Sequence, residues 1–482
     1  MFISGLFLLL FSINITAQPP PDLVIINADV RTMDKANPKA EAVAVSNGRI
    51  TAVGTTEDIK KLAGEITKTI DAEGKLVLPG FNDAHVHIIA LGNKFSSIDL
   101  SDAKTADDVI VKLRRFAEFL PKGRWILGGK LDPSIELTLA QIDAATPENP
   151  VFVYHADPKS AVANSLALTA ARVDDKTGVV REKQLDTLRR VVPADHVRDL
   201  PAIIETASNY AASLGVTSLQ DMHSDDLAAV LRSLDREGRL KTRVYDCVSI
   251  ANWAKLAVVG TKAAEGDAMV RRGCVKGHYD EEDEATASLG KNIAGADAAG
   301  MQVMVHAIGP KANQIVLAEM EKAIKANGDR DRRFRIEHVT GLRPADITRL
   351  ARSKIIPSMQ PALFFSEATG SPDDYRRLLD SGTWIAFGAD APMRGINPLD
   401  GIHAAAGAGG KRGLTVEEAV YAYTLGAAYA EFQEKEKGSI EAGKLADLVI
   451  LSSDIFAEKA DIRSATVTLT FVNGRLVYEN KN

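Results

Sequence analysis

The sequence is nearly free of cysteine: among its 482 residues only Cys247 and Cys274 carry a thiol. Two cysteines exclude the disulfide framework that stabilises small secreted domains, and no Cys-x-x-Cys pair is present to hold a metal ion. The two thiols could pair with each other in an oxidising compartment. We expect instead that both are buried and remain free.

A surplus of positive charge is also missing. Lys and Arg number 58 against 64 Asp and Glu, which gives a net charge of −6 and an isoelectric point of about 5.9. Proteins that bind nucleic acids usually carry a basic balance, so this charge argues against that class. The apolar fraction of 45% and the charged fraction of 25% are ordinary for a globular protein.

Long hydrophobic runs are absent, since no stretch reaches the roughly eighteen apolar residues that span a bilayer. Residues 2–12 form a shorter apolar core, followed by Ile15-Thr16-Ala17 and then by a proline-rich stretch. This order is typical of a signal peptide with cleavage after Ala17, although no Lys or Arg precedes the core. We therefore predict a signal peptide over residues 1–17 and export of the protein to the periplasm or the medium.

Both ends of the chain are rich in short β-strand patterns. The N-terminal part contains runs such as Ala42-Val43-Ala44-Val45 and the hairpin signal Ser46-Asn47-Gly48. The C-terminal part contains similar runs and a second hairpin signal at Asn473-Gly474. We predict that residues 22–78 and 431–482 together form one small composite β-sandwich domain, with a central domain inserted into it.

Between residues 79 and 430, apolar strand-like runs alternate with amphipathic helical stretches, which is typical of βα units and a parallel sheet. One candidate strand ends near His85, and seven more begin at Gly215, Thr242, Gly273, Met301, Phe334, Ile355 and Thr383. Eight parallel strands predict an α/β fold of the (β/α)8 TIM-barrel type, with its active site at the C-terminal ends of the strands. The interval 120–200 is too long for one crossover, so we predict an insertion over the barrel mouth.

Polar residues lie at the C-terminal ends of several of these strands. His85 and His87 have the i, i+2 spacing that directs two side chains of a strand to the same face. The other candidates each stand where a further strand ends, and they are Lys276, His306, His338 and Asp390. Four neutral imidazoles and one carboxylate suit a divalent metal ion such as Zn²⁺.

Lys276 is unusual at the end of an apolar strand, because burial is costly for an ammonium group and lowers its pKa. A neutral lysine amine can add carbon dioxide and become a carbamate, an anionic oxygen ligand able to bridge two metal ions. The alternative is a salt bridge from Lys276 to an acidic side chain in the loop that follows, which contains Asp280. We favour the carbamate.

Six motifs connect this sequence with a known superfamily. They are Pro79–His87, Gly215–Met222, Val303–Gly309, Arg335–Val339, Phe387–Pro392 and Gly443–Val449. Through them the sequence resembles the amidohydrolase superfamily of metal-dependent hydrolases, and within it the amidohydrolase 3 or YtcJ-like branch. The resemblance extends from about Asp22 to Tyr478.

The resemblance implies a distorted (β/α)8 TIM barrel beside a composite β domain, with two divalent metal ions, Zn²⁺ being the expected metal. His85 and His87 would bind the more buried ion, and His306 and His338 would bind the second. Lys276, as a carbamate, would bridge the two ions.

The resemblance also implies a reaction in which the metal ions activate a hydroxide and polarise the scissile carbonyl. Asp390 would be both a metal ligand and the catalytic general base, which takes the proton and passes it to the leaving group.

Several loops depart from the family pattern, so a family substrate cannot be transferred. After Lys276 the family commonly shows an Asp-Gly-Ser loop, whereas this chain has Gly277–Glu284, in which only Asp280 echoes the pattern. We predict that such loops line the substrate pocket. The substrate-binding candidates are Asp280, Lys159 and His223.

The leading hypothesis is an exported metal-dependent hydrolase that cleaves a C–N bond in an amide or a dipeptide-like compound. A mononuclear deaminase on the same fold is one alternative, but such enzymes usually carry a glutamate where this chain has Gly309. A non-catalytic metal-binding homologue is the other. We expect a small-molecule substrate and no nucleic-acid or, after signal cleavage, membrane partner, and we leave a homo-oligomer open.

Overall fold

The structure is a computed structural model, and it describes residues 19–193, 199–222, 226–280, 286–364, 372–407 and 413–481. The predicted signal peptide and His223 lie outside these residues. Within them, no helix combines the length and the apolar character that crossing a bilayer requires.

Eight parallel strands form the central barrel and pair with one another in chain order. Barrel strands 1 to 8 are Phe81–Val86, Val216–Asp221, Arg243–Ser249, Val270–Tyr279, Gln302–Ile308, Arg335–Thr340, Ile356–Met359 and Ala386–Phe387. A short antiparallel strand, Glu265–Gly266, pairs with barrel strand 4. All eight strands predicted from the sequence are present, so the prediction of a (β/α)8 barrel is confirmed.

The barrel closes just after barrel strand 8. The backbone N–H of Asp390 donates to the carbonyl of His85 at 2.7 Å, and the N–H of His87 donates to the carbonyl of Ala391 at 2.9 Å. These hydrogen bonds join the segment after the last strand to the end of the first, and they bring Asp390 next to His85 of barrel strand 1 and to His87, which follows that strand.

Helices cover the outside of the barrel because the outward side chains of the strands are apolar. Val303 and Val305 of barrel strand 5, for example, are fully buried in one cluster with Leu317 of the following helix. The helices between and after the strands are Ile88–Asn93, Leu200–Ser213, Ala228–Arg236, Trp253–Val258, Thr286–Ala298, Pro310–Asn327, Pro344–Ser353, Pro361–Phe364, Pro372–Asp380, Pro398–Gly407, Val416–Tyr421 and Ala427–Ala430.

Two mixed sheets are built from the chain ends. One contains Leu23–Ile26, Ala42–Ser46, Arg49–Gly54 and Lys68–Asp71, and the other contains Asp29–Arg31, Lys39–Ala40, Leu76–Pro79, Leu448–Leu451, Val467–Val472 and Arg475–Glu479. Strand Leu76–Pro79 pairs with an N-terminal and a C-terminal strand, so this sheet needs both ends of the chain. Side chains of both sheets share one hydrophobic cluster, as expected for packed sheets.

The two predicted hairpin turns adopt the expected backbone. Asn47 and Gly48 both have positive φ, and so do Asn473 and Gly474. A two-residue hairpin turn of type I′ requires positive φ at both positions, which is why Asn-Gly is common there.

A further sheet is inserted between barrel strands 1 and 2. Its strands are Ile98–Asp99, Ile126–Leu131, Val151–His155, Ser160–Ala163 and Val179–Arg181, and its helices are Ala106–Phe119, Leu139–Ala145, Ser165–Ala171 and Glu182–Val191. The sheet thus begins before residue 120. Phe95 and Phe119 contact Tyr210, which lies on a helix outside the barrel. A position over the barrel mouth stays a prediction.

The expectation of two free thiols is wrong, since Cys247 and Cys274 form a disulfide. They stand directly opposite each other on barrel strands 3 and 4, with their Cα atoms 4.7 Å apart. The register of the two strands, which the sequence pattern does not reveal, places them within bonding distance. Cys274 precedes Lys276 by two residues, so the disulfide lies in the layer of the barrel interior below that lysine.

Candidate metal centre

His85, His87 and Asp390 form the first group of the site. The Nε2 atoms of His85 and His87 lie 3.5 and 3.4 Å from Oδ1 of Asp390. One ligand atom from each of the three residues lies within 4.8 Å of the others. A divalent ion among them would therefore meet two nitrogens and one oxygen.

The remaining predicted residues adjoin this group. Lys276 Nζ lies 3.4 Å from His85 Nε2. The ring of His338 lies 4.8 Å from the ring of His85 and 4.4 Å from the ring of His306, measured between centroids. The structure thus brings together all six residues that the sequence analysis named as metal-site candidates, from barrel strands 1, 4, 5 and 6 and from the segments that follow barrel strands 1 and 8.

Two of these residues have left-handed backbone, with φ of 75° at His338 and 53° at Asp390. In a regular strand, His338 would face away from Glu337, its neighbour in the chain. The left-handed φ breaks that alternation, so both side chains reach the barrel interior, where Glu337 and the ring of His338 both contact His85. Strained backbone of this kind concentrates at functional sites.

Buried acceptors orient two of the imidazoles. Glu337 Oε2 lies 2.7 Å from His85 Nδ1, and Gln360 Oε1 lies 2.7 Å from His338 Nδ1. Because a carboxylate or amide oxygen can only accept, Nδ1 of each ring carries the proton and donates it. The Nε2 lone pairs are thereby left for a metal ion, which is the usual arrangement around metal-bound histidines.

Burial also lowers the pKa values of these basic side chains and keeps the imidazoles neutral. It lowers the pKa of His85 and of His338 well below the usual range, and the Lys276 ammonium adds to both shifts. It lowers the pKa of His306 to about 4 and that of Lys276 to about 8. Neutral imidazoles are the form that binds metal ions, so the donor set fits the divalent metal that the resemblance implied.

The three substrate-binding candidates differ in position. Asp280 lies at the rim of the site, with Oδ1 3.2 Å from His306 Nε2. Lys159 lies on an exposed turn of the inserted sheet, where its backbone N–H donates to Asp157; among the contacts described for the chain, none joins it to the metal-site residues. His223 lies outside the described residues. Substrate binding by these residues stays a prediction.

Four residues of the site were not assigned a role from the sequence: Arg335, Glu337, Gln360 and His278. Glu337 is held by Arg335, whose Nε lies 2.8 Å from Glu337 Oε1, and both side chains are fully buried. A charged pair within a strand pattern was a visible signal for the first two, and the i, i+2 spacing from Lys276 was a signal for His278. Gln360 gave no such signal.

An eight-stranded barrel that gathers imidazole, carboxylate and lysine side chains at the C-terminal ends of its strands defines a metal-dependent hydrolase of the TIM-barrel class. The sequence comparisons agree, because the model of the Amidohydrolase family matches residues 68–478. The chain belongs to this family.

Relatives come from plants and bacteria. Protein LONG AFTER FAR-RED 3 of Arabidopsis thaliana is 30% identical, with 95% of this chain and 91% of the relative covered. Putative amidohydrolase YtcJ of Bacillus subtilis is 27% identical, with 93% and 98% covered. N-substituted formamide deformylase of Arthrobacter pascens is 26% identical, with 95% and 98% covered. The predicted YtcJ-like branch is thereby confirmed.

A similar solved structure is that of an uncharacterized metal-dependent hydrolase from Pyrococcus furiosus. It is 27% identical, has a TM-score of 0.63, and covers 90% of this chain and 99% of its own. The fold described above is therefore shared with a metal-dependent hydrolase whose structure has been solved.

Proposed function

We propose that this protein is an exported hydrolase that cleaves the C–N bond of an amide, with Asp390 as its general base. The observation that carries the proposal is the position of Asp390, whose carboxylate contacts both His85 and His87 at the open end of the barrel. The similarity to N-substituted formamide deformylase supports an amide as the substrate.

The donor set supports two divalent ions, for which Zn²⁺ is the best match. We assign His85, His87 and Asp390 to the first ion and His306 and His338 to the second. Bound at this site, the ions would lower the pKa of a water molecule and polarise a carbonyl oxygen.

We propose further that Lys276 links the two positions as a carbamate. The neutral form of its amine, which burial favours, would form an N–C bond to carbon dioxide and release one proton, which gives an anionic oxygen donor. Its Nζ atom, 3.4 Å from His85 Nε2, stands close enough to the first group for this role.

Asp390 supplies the proton transfer. Its carboxylate accepts a proton from the attacking water and delivers it to the leaving nitrogen, so the products are a carboxylic acid and an amine. The side chain of His87 is 37% exposed and that of Asp390 is 12% exposed. Water and substrate can therefore reach this end of the site.

Export rests on the apolar N-terminal segment and is supported by the Cys247–Cys274 disulfide, because disulfides persist mainly in oxidising compartments. Cell fractionation checks this proposal. We expect the processed protein outside the cytoplasm and without free thiols when it is denatured unreduced; a cytoplasmic, unprocessed protein would contradict it.

The experiment that tests the function is amine release from a panel of N-substituted formamides, N-acyl amino acids and dipeptides by the zinc-loaded protein. We expect turnover of at least one class. Asp390→Asn should reduce it by about 100-fold or more, because a general base typically contributes that factor. His403→Ala, which changes an exposed histidine outside the site, is the control.

Two outcomes would overturn the proposal. Ammonia release from amino-substituted rings without amide cleavage would indicate the deaminase. Two bound metal ions without turnover of any substrate class would indicate a non-catalytic homologue.

Metal content of Lys276→Ala in bicarbonate buffer tests the carbamate, since a bridging ligand predicts loss of at least one ion.

A further inference from the structure

Barrel strand 4 continues past Lys276, and two more polar residues follow on the same face, His278 within the strand and Asp280 directly after it. Lys276, His278 and Asp280 follow one another at two-residue intervals, and the strand extends to Tyr279. His278 stands directly opposite His306 in the parallel pairing of barrel strands 4 and 5. Strand pairing therefore fixes His278 beside a proposed metal ligand.

The contacts of this group are those of a metal-binding cluster. Asp280 Oδ1 lies 3.2 Å from His306 Nε2, and Asp280 Oδ2 lies 3.5 Å from His278 Nε2. The two imidazole rings stack with their centroids 4.1 Å apart. One ligand atom from each of the three residues lies within 4.8 Å of the others.

His306 connects this cluster with the second metal ion, because it is one of the ligands proposed for that ion. A Zn²⁺ ion binds an imidazole nitrogen at about 2.1 Å. Because an oxygen of Asp280 already lies 3.2 Å from Nε2 of His306, an ion bound to that nitrogen has this carboxylate within its reach. Nothing in the resemblance to the amidohydrolases assigned a ligand role to His278 or Asp280.

We propose that Asp280 and His278 are ligands of the second metal ion, which they hold from the solvent side while His306 and His338 hold it from inside the barrel. The proposal rests on the proposed function for the existence of that ion. The side chains of His278 and Asp280 are 60% and 45% exposed, so the added ligands come from the rim.

The test is metal retention, measured without any substrate. Zinc-loaded protein in bicarbonate buffer is dialysed against increasing chelator concentrations, and zinc per chain is measured by elemental mass spectrometry. The variants are Asp280→Asn and His278→Ala, with His403→Ala as the control for removal of an exposed histidine. Substitution with Co²⁺ and its visible absorption spectrum report the ligand set independently.

We expect two ions in the wild type and in the control. Asp280→Asn and His278→Ala should lose the second ion at chelator concentrations about tenfold lower or more, because even indirect partners of a metal change its affinity by that factor. The first ion should remain, and the Co²⁺ spectrum should change. Because both side chains lie at the exposed rim, their removal should leave the thermal unfolding of the metal-free protein unchanged.

The outcomes separate the two proposals. Two ions in the wild type with unchanged retention and spectra in both variants would overturn the ligand role and leave the proposed function intact. One ion in the wild type would overturn both this proposal and the two-metal centre. Lower retention in both variants without turnover of any amide would support the ligand role while the proposed activity fails.

Discussion

At the scale of single residues, the orientation of His85 depends on a carboxylate outside the metal-ligand set. Glu337 accepts from Nδ1 of His85 and is itself held by Arg335, and all three side chains are buried. Such partners fix the tautomer and the ring orientation of a ligand histidine. The first metal position is therefore sensitive to Glu337, although Glu337 is not one of its proposed ligands.

The first prediction concerns Glu337→Gln. The substitution keeps the shape of the side chain nearly unchanged, but it removes the negative charge that stabilises the Nδ1–H donor of His85. We expect affinity for the first metal ion to fall by about 10- to 100-fold. Chelator titration followed by elemental mass spectrometry measures it.

The matched control is Glu434→Gln, which also removes a carboxylate from an arginine, Arg333, in a part-buried pair away from the metal site. Both variants lose an ion pair, so a loss of metal in both would point to a general effect on the fold. Wild-type metal retention in Glu337→Gln would contradict the positioning role.

At the scale of elements, the site depends on how barrel strand 8 meets barrel strand 1. Gly388 lies between them, and a Cβ atom added there would stand 2.4 Å from the backbone nitrogen of His85 and 2.7 Å from Oδ1 of Asp83. The backbone nitrogen cannot move without moving the strand. The approach of the two strands, and with it the placement of Asp390 beside the histidines, therefore requires glycine.

The second prediction is that Gly388→Ala pushes barrel strands 8 and 1 apart. We expect a loss of about 1–3 kcal/mol in the free energy of unfolding, as is typical for overpacking, together with weaker retention of the first metal ion. Gly395→Ala is the control, because a Cβ atom there meets nothing within 4 Å. Equal stability and metal content in the two variants would show that the contact between barrel strands 8 and 1 tolerates a side chain at position 388.

At the scale of the whole molecule, a buried ion pair joins the barrel to the sheet of the chain ends. Arg243 of barrel strand 3 donates through Nε to Oδ2 of Asp447 at 2.6 Å and through Nη2 to Oδ1 at 2.8 Å. Both side chains are less than 5% exposed. Asn473 accepts a further hydrogen bond from this guanidinium, so the hairpin near the C-terminus is tied to the same group.

The third prediction is that Asp447→Ala destabilises the protein by about 3–5 kcal/mol, because it leaves a buried arginine without its counter-charge. Urea unfolding measures the change. Glu57→Ala, which breaks an exposed pair with Lys61, should leave the free energy of unfolding nearly unchanged, because solvent screens exposed ion pairs. The double variant Arg243→Met with Asp447→Leu should recover much of the loss; no difference between Asp447→Ala and Glu57→Ala would contradict the prediction.

Much of the architecture was predictable because it is encoded locally. Each barrel strand shows an apolar run bounded by turn residues, and the pairing of parallel strands in chain order follows from alternating strands and helices. The spacing of His85 and His87 sets their shared face by strand geometry alone. The Asn-Gly turns are local in the same sense, because positive φ at both positions is a property of two residues.

The sequence by itself therefore determined the barrel, its strand order and the residue types at the strand ends, since these follow from patterns over a few residues. Only the tertiary structure decided the Cys247–Cys274 disulfide, the contact between Glu337 and His85, and the position of His278 beside His306. These contacts depend on strand register and barrel closure, which join positions as much as 252 residues apart in the chain. A local pattern specifies which face a side chain takes, but the partner on that face is selected by the packing of the whole barrel.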